Sequence, residues 1–177
     1  MPVAIELFLD EPSADVLRQL WRRIAEAGIS SHLHESGVRP HLTLAVGDRV
    51  DDPSVETVLR EWGTANRSRQ ITFNGLGLSP SERANVFLTP IVTRDLLELH
   101  QDLHDRLKGL VVSPWTRYLP EHWVPHCTIV ERVPPINLAR TIEIARSAPF
   151  PVEASLVEIA LVEFSPFLHR AAFPLLG

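Results

Sequence analysis

A single cysteine stands among the 177 residues, so no disulfide can form within the chain. That suits a reducing compartment, and the cytoplasm is the expected one. No apolar run reaches the roughly 18 residues that a membrane-spanning helix needs, so no membrane association is expected. The opening MPVAIELFLDEP lacks a basic stretch and carries acidic residues early, so it does not read as a signal peptide. A basic surplus is also missing, since the net charge is -5. Proteins that grip long nucleic acids through their phosphates usually carry a basic surface, so extended duplex binding is disfavoured. A local basic cleft leaves nucleotides and RNA ends open. Linkers and low-complexity segments are absent too. The chain therefore reads as one domain over residues 1–177, with a sizeable core or two small lobes sharing one.

What is present is a regular alternation of strands and helices. VAIELFL (3–9) is rich in β-branched and aromatic residues and predicts a strand. Ser13 is placed to cap a helix with Leu17, Leu20, Trp21 and Ile24 inward, stopped by Gly28. HLTLAV (41–46) predicts a second strand, and Asp52–Pro53 starts a helix with Val55, Val58, Leu59 and Trp62 on one face. Strands follow at 69–78 and 85–92. Thr93 then caps a helix with Leu96, Leu97, Leu103 and Leu107 inward. Residues 111–124 read as irregular, 125–130 as a strand, and Asn137 as the cap of a short helix. Residues 152–164 and 170–176 close the chain as a pair of strands. The same order of five elements occurs twice, giving pseudo-repeats of about 1–80 and 81–177. Neither could bury its apolar face alone, so the two halves should pack together.

At equivalent points of these repeats stand RPHLTLAV (39–46) and VPHCTIV (124–130). With 8 histidines in the chain and threonine at about 5% of residues, chance gives about 0.4 His-x-Thr sequences, and a preceding proline lowers that to about 0.03. Two copies in matched positions therefore point to a shared role. Residues two apart on a strand share a face, so His41 points with Thr43 and His126 with Thr128. Leu42, Leu44, Cys127 and Ile129 point the other way, into the core. Two such strands facing each other would line a cleft with two imidazoles and two hydroxyls. Breaking a phosphodiester calls for a base on one side and an acid on the other, and histidine serves as either near neutral pH. Threonine hydroxyls can hold the non-bridging oxygens where charge builds up. No metal or other cofactor is required.

With its paired PHLT and PHCT motifs in a duplicated frame, the chain resembles the 2H phosphoesterase superfamily, in its 2'-5' RNA ligase or cyclic phosphodiesterase branch. VFLTPIVTRDLLELHQDLHDRL and YLPEHWVPHCTIV add to the likeness, which extends over essentially the whole chain. It implies an α+β fold of two lobes, with two antiparallel sheets lining a central cleft and helices outside. It also implies action on 2',3'-cyclic phosphates or 2'-5' linkages at RNA ends or in nucleotides, with possible reversal as ligation. His41, Thr43, His126 and Thr128 take the catalytic positions. In one respect the chain departs from the pattern. Some members carry a basic residue five after the second histidine, where this chain has Glu131, with Arg132 next.

Other side chains are candidates for binding. Tyr118 and Trp123 precede the second motif, and either close over the cleft to stack a base or belong to rim and core. Arg39 and Arg170 either contact phosphate or serve as solvated, structural arginines. His32 and His34 lack a matching carboxylate or cysteine cluster, so a metal site there is not expected. His100 and His104 lie one helical turn apart without the Glu of a zinc-hydrolase helix and read as helix-face residues. Cys127 points away from its neighbour His126, which argues against a Cys–His nucleophile pair. The expected protein is a monomeric, metal-independent phosphodiesterase. The alternatives are a binding module that holds a nucleotide or RNA end without turnover, and a metallohydrolase.

Overall fold

A computed structural model describes residues 1–164 and 167–177. The first half of the chain runs β1 (Val3–Leu9), α1 (Glu11–Glu26), the short α2 (His32–Glu35), β2 (His41–Val50), α3 (Asp52–Ala65) and β3 (Arg69–Leu78). The second runs β4 (Ala84–Pro90), α4 (Arg94–Arg106), β5 (Val111–Pro114), β6 (Cys127–Val133), α5 (Pro135–Arg146), β7 (Val152–Glu163) and β8 (Leu168–Pro174). The result is a mixed α+β fold whose paired strands are all antiparallel.

The strands follow one hydrogen-bonded path, β5-β2-β1-β7-β3-β4-β6, with β8 on the other edge of β7. The expected two sheets are thus joined, because β7 is 12 residues long and serves both. Its residues 152–156 pair with β3, and 156–163 pair with β1. The order is symmetric about the β7–β3 junction. Each half keeps its first strand beside its motif strand and hands its last strand to the other half.

Local chemistry explains most element ends, with three differences from expectation. Asp10, not Ser13, occupies the N-cap of α1. Ser13 lies inside the first turn and donates to Asp10 Oδ1 at 2.5 Å, while Asp10 also accepts the Ser155 backbone N–H at 2.7 Å. The helix ends at Gly28, whose φ of 68° is the left-handed conformation that glycine adopts freely. Thr93 does cap α4, accepting from the Leu96 N–H at 3.2 Å, but Leu97 is exposed and Leu99 with His100 faces inward instead. Helix α5 starts at Pro135, ahead of Asn137, because proline's fixed φ and absent N–H suit the first turn.

Two apolar layers result. The larger lies under the helices and joins Ile5, Leu7, Leu17, Leu42, Leu44, Trp62, Leu88, Leu103, Cys127 and Ile129. The smaller lies on the opposite sheet face, with Ala4, Phe8, Val46, Ala160 and Val162 beneath Trp115, Tyr118, Phe164 and Phe167. Strand β1 sits between the layers, so all seven of its residues are buried. That is the burial expected of a central strand covered on both faces. Glu6 is its one charged residue.

Candidate active site

His41 opens β2, and His126 stands one residue before β6. Along both segments His and Thr are half-buried while Leu42, Leu44, Cys127 and Ile129 are buried, the alternation expected of residues two apart. The two motif strands lie far apart in the hydrogen-bonded order, yet the sheet folds back so that they approach. The Cys127 thiol comes to the backbone N–H of His41, and burial pushes that thiol up to about 12. It is a packing residue, not a nucleophile.

Each histidine ring is fixed in the same way. His41 Nδ1 lies 2.6 Å from the Arg39 carbonyl, and His126 Nδ1 lies 2.7 Å from the Val124 carbonyl. A carbonyl only accepts, so Nδ1 carries the hydrogen and Nε2 is left for chemistry. The intervening Pro40 and Pro125 explain the geometry. Proline holds the preceding residue extended, which turns its carbonyl toward the ring two positions on. The proline of each PH motif is thereby part of the site.

The backbones are fixed symmetrically too. Trp123 Nε1 donates to the Thr43 carbonyl at 2.9 Å, and Trp21 Nε1 donates to the Thr128 carbonyl at 3.0 Å. Each indole comes from the half that does not contain the threonine it holds. On β2 the grip is doubled. His100 and His104 of α4 place Nε2 at 2.8 and 3.0 Å from the Leu44 carbonyl, and His100 stacks flat on Trp123 at 3.9 Å. Burial, followed by the charge of His104, brings His100 down to about 4, so it is a neutral donor at ordinary pH.

Beneath the two rings the symmetry breaks. Leu7 faces Leu42 across β1 and β2, as Leu88 faces Cys127 across β4 and β6. One step along, Glu6 faces Thr43 where Phe87 faces Thr128. The Glu6 Oε1 lies 3.3 Å from His41 Nε2, and Glu6 Oε2 is buried without a hydrogen-bond partner. Burial raises the Glu6 carboxyl above the ordinary carboxylate range, against the pull of His41. His126 instead rests on the Phe87 ring at 4.7 Å. Burial holds its imidazole below the ordinary value, helped by the charges of His41 and Arg117 and opposed by the Val124 carbonyl.

The other expected residues are distributed unevenly. Arg39 pairs with Glu158 and lies 4.1 Å over the Phe8 ring, beside His41 and His169. Tyr118 is half-buried between the two apolar layers. Trp123 is buried, stacked and committed to Thr43. Arg170 is held away from His41 by Asp52 at 2.7 Å and Glu163 at 2.9 Å, because alternate residues of β8 face opposite ways and His169 takes the side toward Phe8. Glu131 and Arg132 are exposed, the latter at a φ of 55° with its N–H on Asn85. Three nearby groups went unread in the sequence. Glu6 was hidden in an apolar strand, Phe87 in another, and Arg117 in an irregular segment. The Arg117 guanidinium stacks 5.0 Å from Trp115 and 5.1 Å from Tyr118. No group of three or more His, Cys, Asp or Glu is placed to hold a metal ion among the described residues.

The sequence model of the 2'-5' RNA ligase superfamily matches residues 9–165. The chain belongs to this superfamily. Solved members and neighbours share the fold of this 2'-5' RNA ligase superfamily protein. TT0787 of Thermus thermophilus superposes with a TM-score of 0.68 at 19% identity, covering 100% of this chain and 99% of that one. E. coli LigT, crystallised with 3'-AMP, gives 0.61 at 18% identity over 99% of each chain. Usb1 of Kluyveromyces marxianus gives 0.52 at 10% identity over 98% of each. Among curated proteins no sequence matches. The chain thus has the 2H phosphoesterase fold and belongs with phosphoesterase-type enzymes. Among its described residues no helix is long and apolar enough to cross a membrane.

Proposed function

We propose that this protein is a metal-independent phosphodiesterase acting on 2',3'-cyclic phosphates or 2'-5' linkages of nucleotides or RNA ends. The observation that carries the reading is the matched pair of ring locks, which ties each Nδ1 to a backbone carbonyl and leaves one Nε2 from each half clear of the backbone, on the same strand face as the threonine of its motif. In hydrolysis His126 takes a proton from water as the water oxygen attacks phosphorus. The bond from phosphorus to the ribose oxygen breaks, and His41 gives its proton to that oxygen. One water is added and a phosphomonoester is formed. Thr43 and Thr128 donate to the non-bridging oxygens as negative charge grows there. The acid–base order follows from the surroundings: a neutral imidazole on Phe87 suits a base, and an imidazole beside Glu6 suits an acid. Complexes of LigT with 3'-AMP, ATP and NADP+ support a nucleotide or nucleotide end as the ligand class.

The test is a panel of nucleoside 2',3'-cyclic phosphates and 2'-5'-linked dinucleotides with chelator present, products resolved as 2'- or 3'-phosphates. Turnover is expected, and His41→Ala and His126→Ala should each lower it by at least ~10², the scale of a positioned acid or base. Binding without product would support a non-catalytic module. Loss of turnover in chelator would support a metallohydrolase.

A further inference from the structure

The two halves present nearly the same site, so geometry alone would let a substrate bind in either sense. A difference in charge falls beside a reacting ring: the residue across from the motif threonine is Glu6 in one half and Phe87 in the other. Replacing a buried glutamate by an apolar residue of similar size is often neutral or stabilising, so a carboxylate kept in this strand calls for a reason other than stability. Glu6 is 5% exposed, and its Oε2 has no partner to compensate its desolvation. Its other oxygen is spent on the nitrogen of His41 that faces the cleft.

We infer that Glu6 is the positioning residue that makes His41 the proton donor and so gives the pseudo-symmetric site its direction. The inference rests on the phosphodiesterase reading above and deepens it. The charges around His41 support the assignment. Just before β2, Arg39 is neutralised by Glu158 of β7. From β8, His169 is held below its ordinary value by burial and then by Arg39, so it is neutral at ordinary pH. From the second motif, His126 is likewise held neutral by burial. Arg117, in the turn at Thr116–Tyr118, acts on His126. Among the described residues, Glu6 is therefore the acidic group left uncompensated against His41. Glu6 Oε1 lies 3.3 Å from His41 Nε2, within hydrogen-bonding reach of the nitrogen that would carry the proton. Only His41 of that pair reaches the cleft, so the proton leaves through its Nε2.

In turnover the step balances simply. Water loses a proton to His126, the phosphorus–oxygen bond to the leaving ribose breaks, and the leaving oxygen takes the proton carried by His41. A leaving group that needs no proton should not need Glu6. The experiment compares wild type, Glu6→Gln, Glu6→Leu, His41→Ala and His126→Ala on two diesters, one with a ribose alkoxide and one with a p-nitrophenolate as leaving group. Both Glu6 variants are expected to lose roughly tenfold or more on the alkoxide substrate and little on the p-nitrophenyl one, as is His41→Ala on a larger scale. His126→Ala should lose on both. On the alkoxide substrate the alkaline limb of the rate profile should move to lower pH in Glu6→Gln, as expected when an opposite charge is removed from an acid. The acid limb should stay. Equal losses on both substrates, or movement of the acid limb, would overturn the inference while leaving the phosphodiesterase reading in place. Wild-type failure on every diester would overturn that reading instead. The leucine variant keeps the test sound if the amide is poorly accommodated, since it leaves no buried polar group unpaired.

Discussion

His100 links the stability of the fold to the strand that carries the first motif. It is buried, stacked on Trp123, and directed at the Leu44 carbonyl one residue beyond Thr43. An unfolded histidine takes up a proton near its ordinary value of 6.5, but His100 in the fold does so only at about 4. Its contribution is therefore fully present above pH 6.5 and is lost as pH falls from there toward 4. At pH 4.5 the unfolded form is favoured by about 2.5 kcal/mol from this group alone, taking 1.36 kcal/mol per pKa unit. For a chain of this size that is a fall in Tm of about 5–10 °C. The perturbation is His100→Gln, whose amide nitrogen can reach the place of Nε2 and does not titrate. The variant should cost stability at pH 7 through the lost stack, and that deficit should shrink by about 2.5 kcal/mol at pH 4.5. Urea unfolding of both proteins at the two pH values reads the difference. A deficit that stays constant between them would refute the account, because it would mean that His100 is not the group resisting protonation.

Three further outcomes follow from the site. Thr43→Val and Thr128→Val keep the branched shape a strand prefers and remove one donor each, so turnover should fall more than binding; a variant that loses only stability would show a structural hydroxyl. Trp21→Phe and Trp123→Phe each leave a motif threonine carbonyl without its indole, and each should cost about 1–3 kcal/mol in denaturant unfolding, with unchanged stability in both telling against the cross-half grip. Because burial holds His126 below its ordinary value, it stays neutral to lower pH, and the acid limb of kcat/KM should lie below 6.5; a limb above that value would remove His126 as the base.

The motif pair was legible because its signal is local. Period-two alternation puts His and Thr on one face whatever the partner strand, and the structure repeats that alternation at both motifs. The five-element order of each half was legible for the same reason, through helical spacing, Gly28, Pro53 and Thr93. What could not be read depends on register. Glu6 matters because it lies across from Thr43, and that pairing includes an irregularity between Ile5 and Glu6 that no single strand reveals. Leu97 and Leu99 both fit a helical face within a turn, and packing decided between them. The short β5 carries only four residues amid Trp and Pro, too few for a periodic signal. Trp123 was open to two readings, and its hydrogen bond to a residue 80 positions away is what distinguishes them.

Because the last strands are exchanged, neither half can complete its sheet alone. A free first half would hold β3 with no β4 to receive it, and would leave β1 with one bare edge where β7 belongs. Two copies of one half would cure both faults at once, each giving its terminal strand to the other. The strand order is that which a strand-swapped homodimer would have if the turn at 79–83 linked its subunits. Within one chain the two halves need not match, and here one carries a glutamate where the other has a phenylalanine. A true homodimer is denied that difference, since a single gene writes the same residue on both sides of its axis.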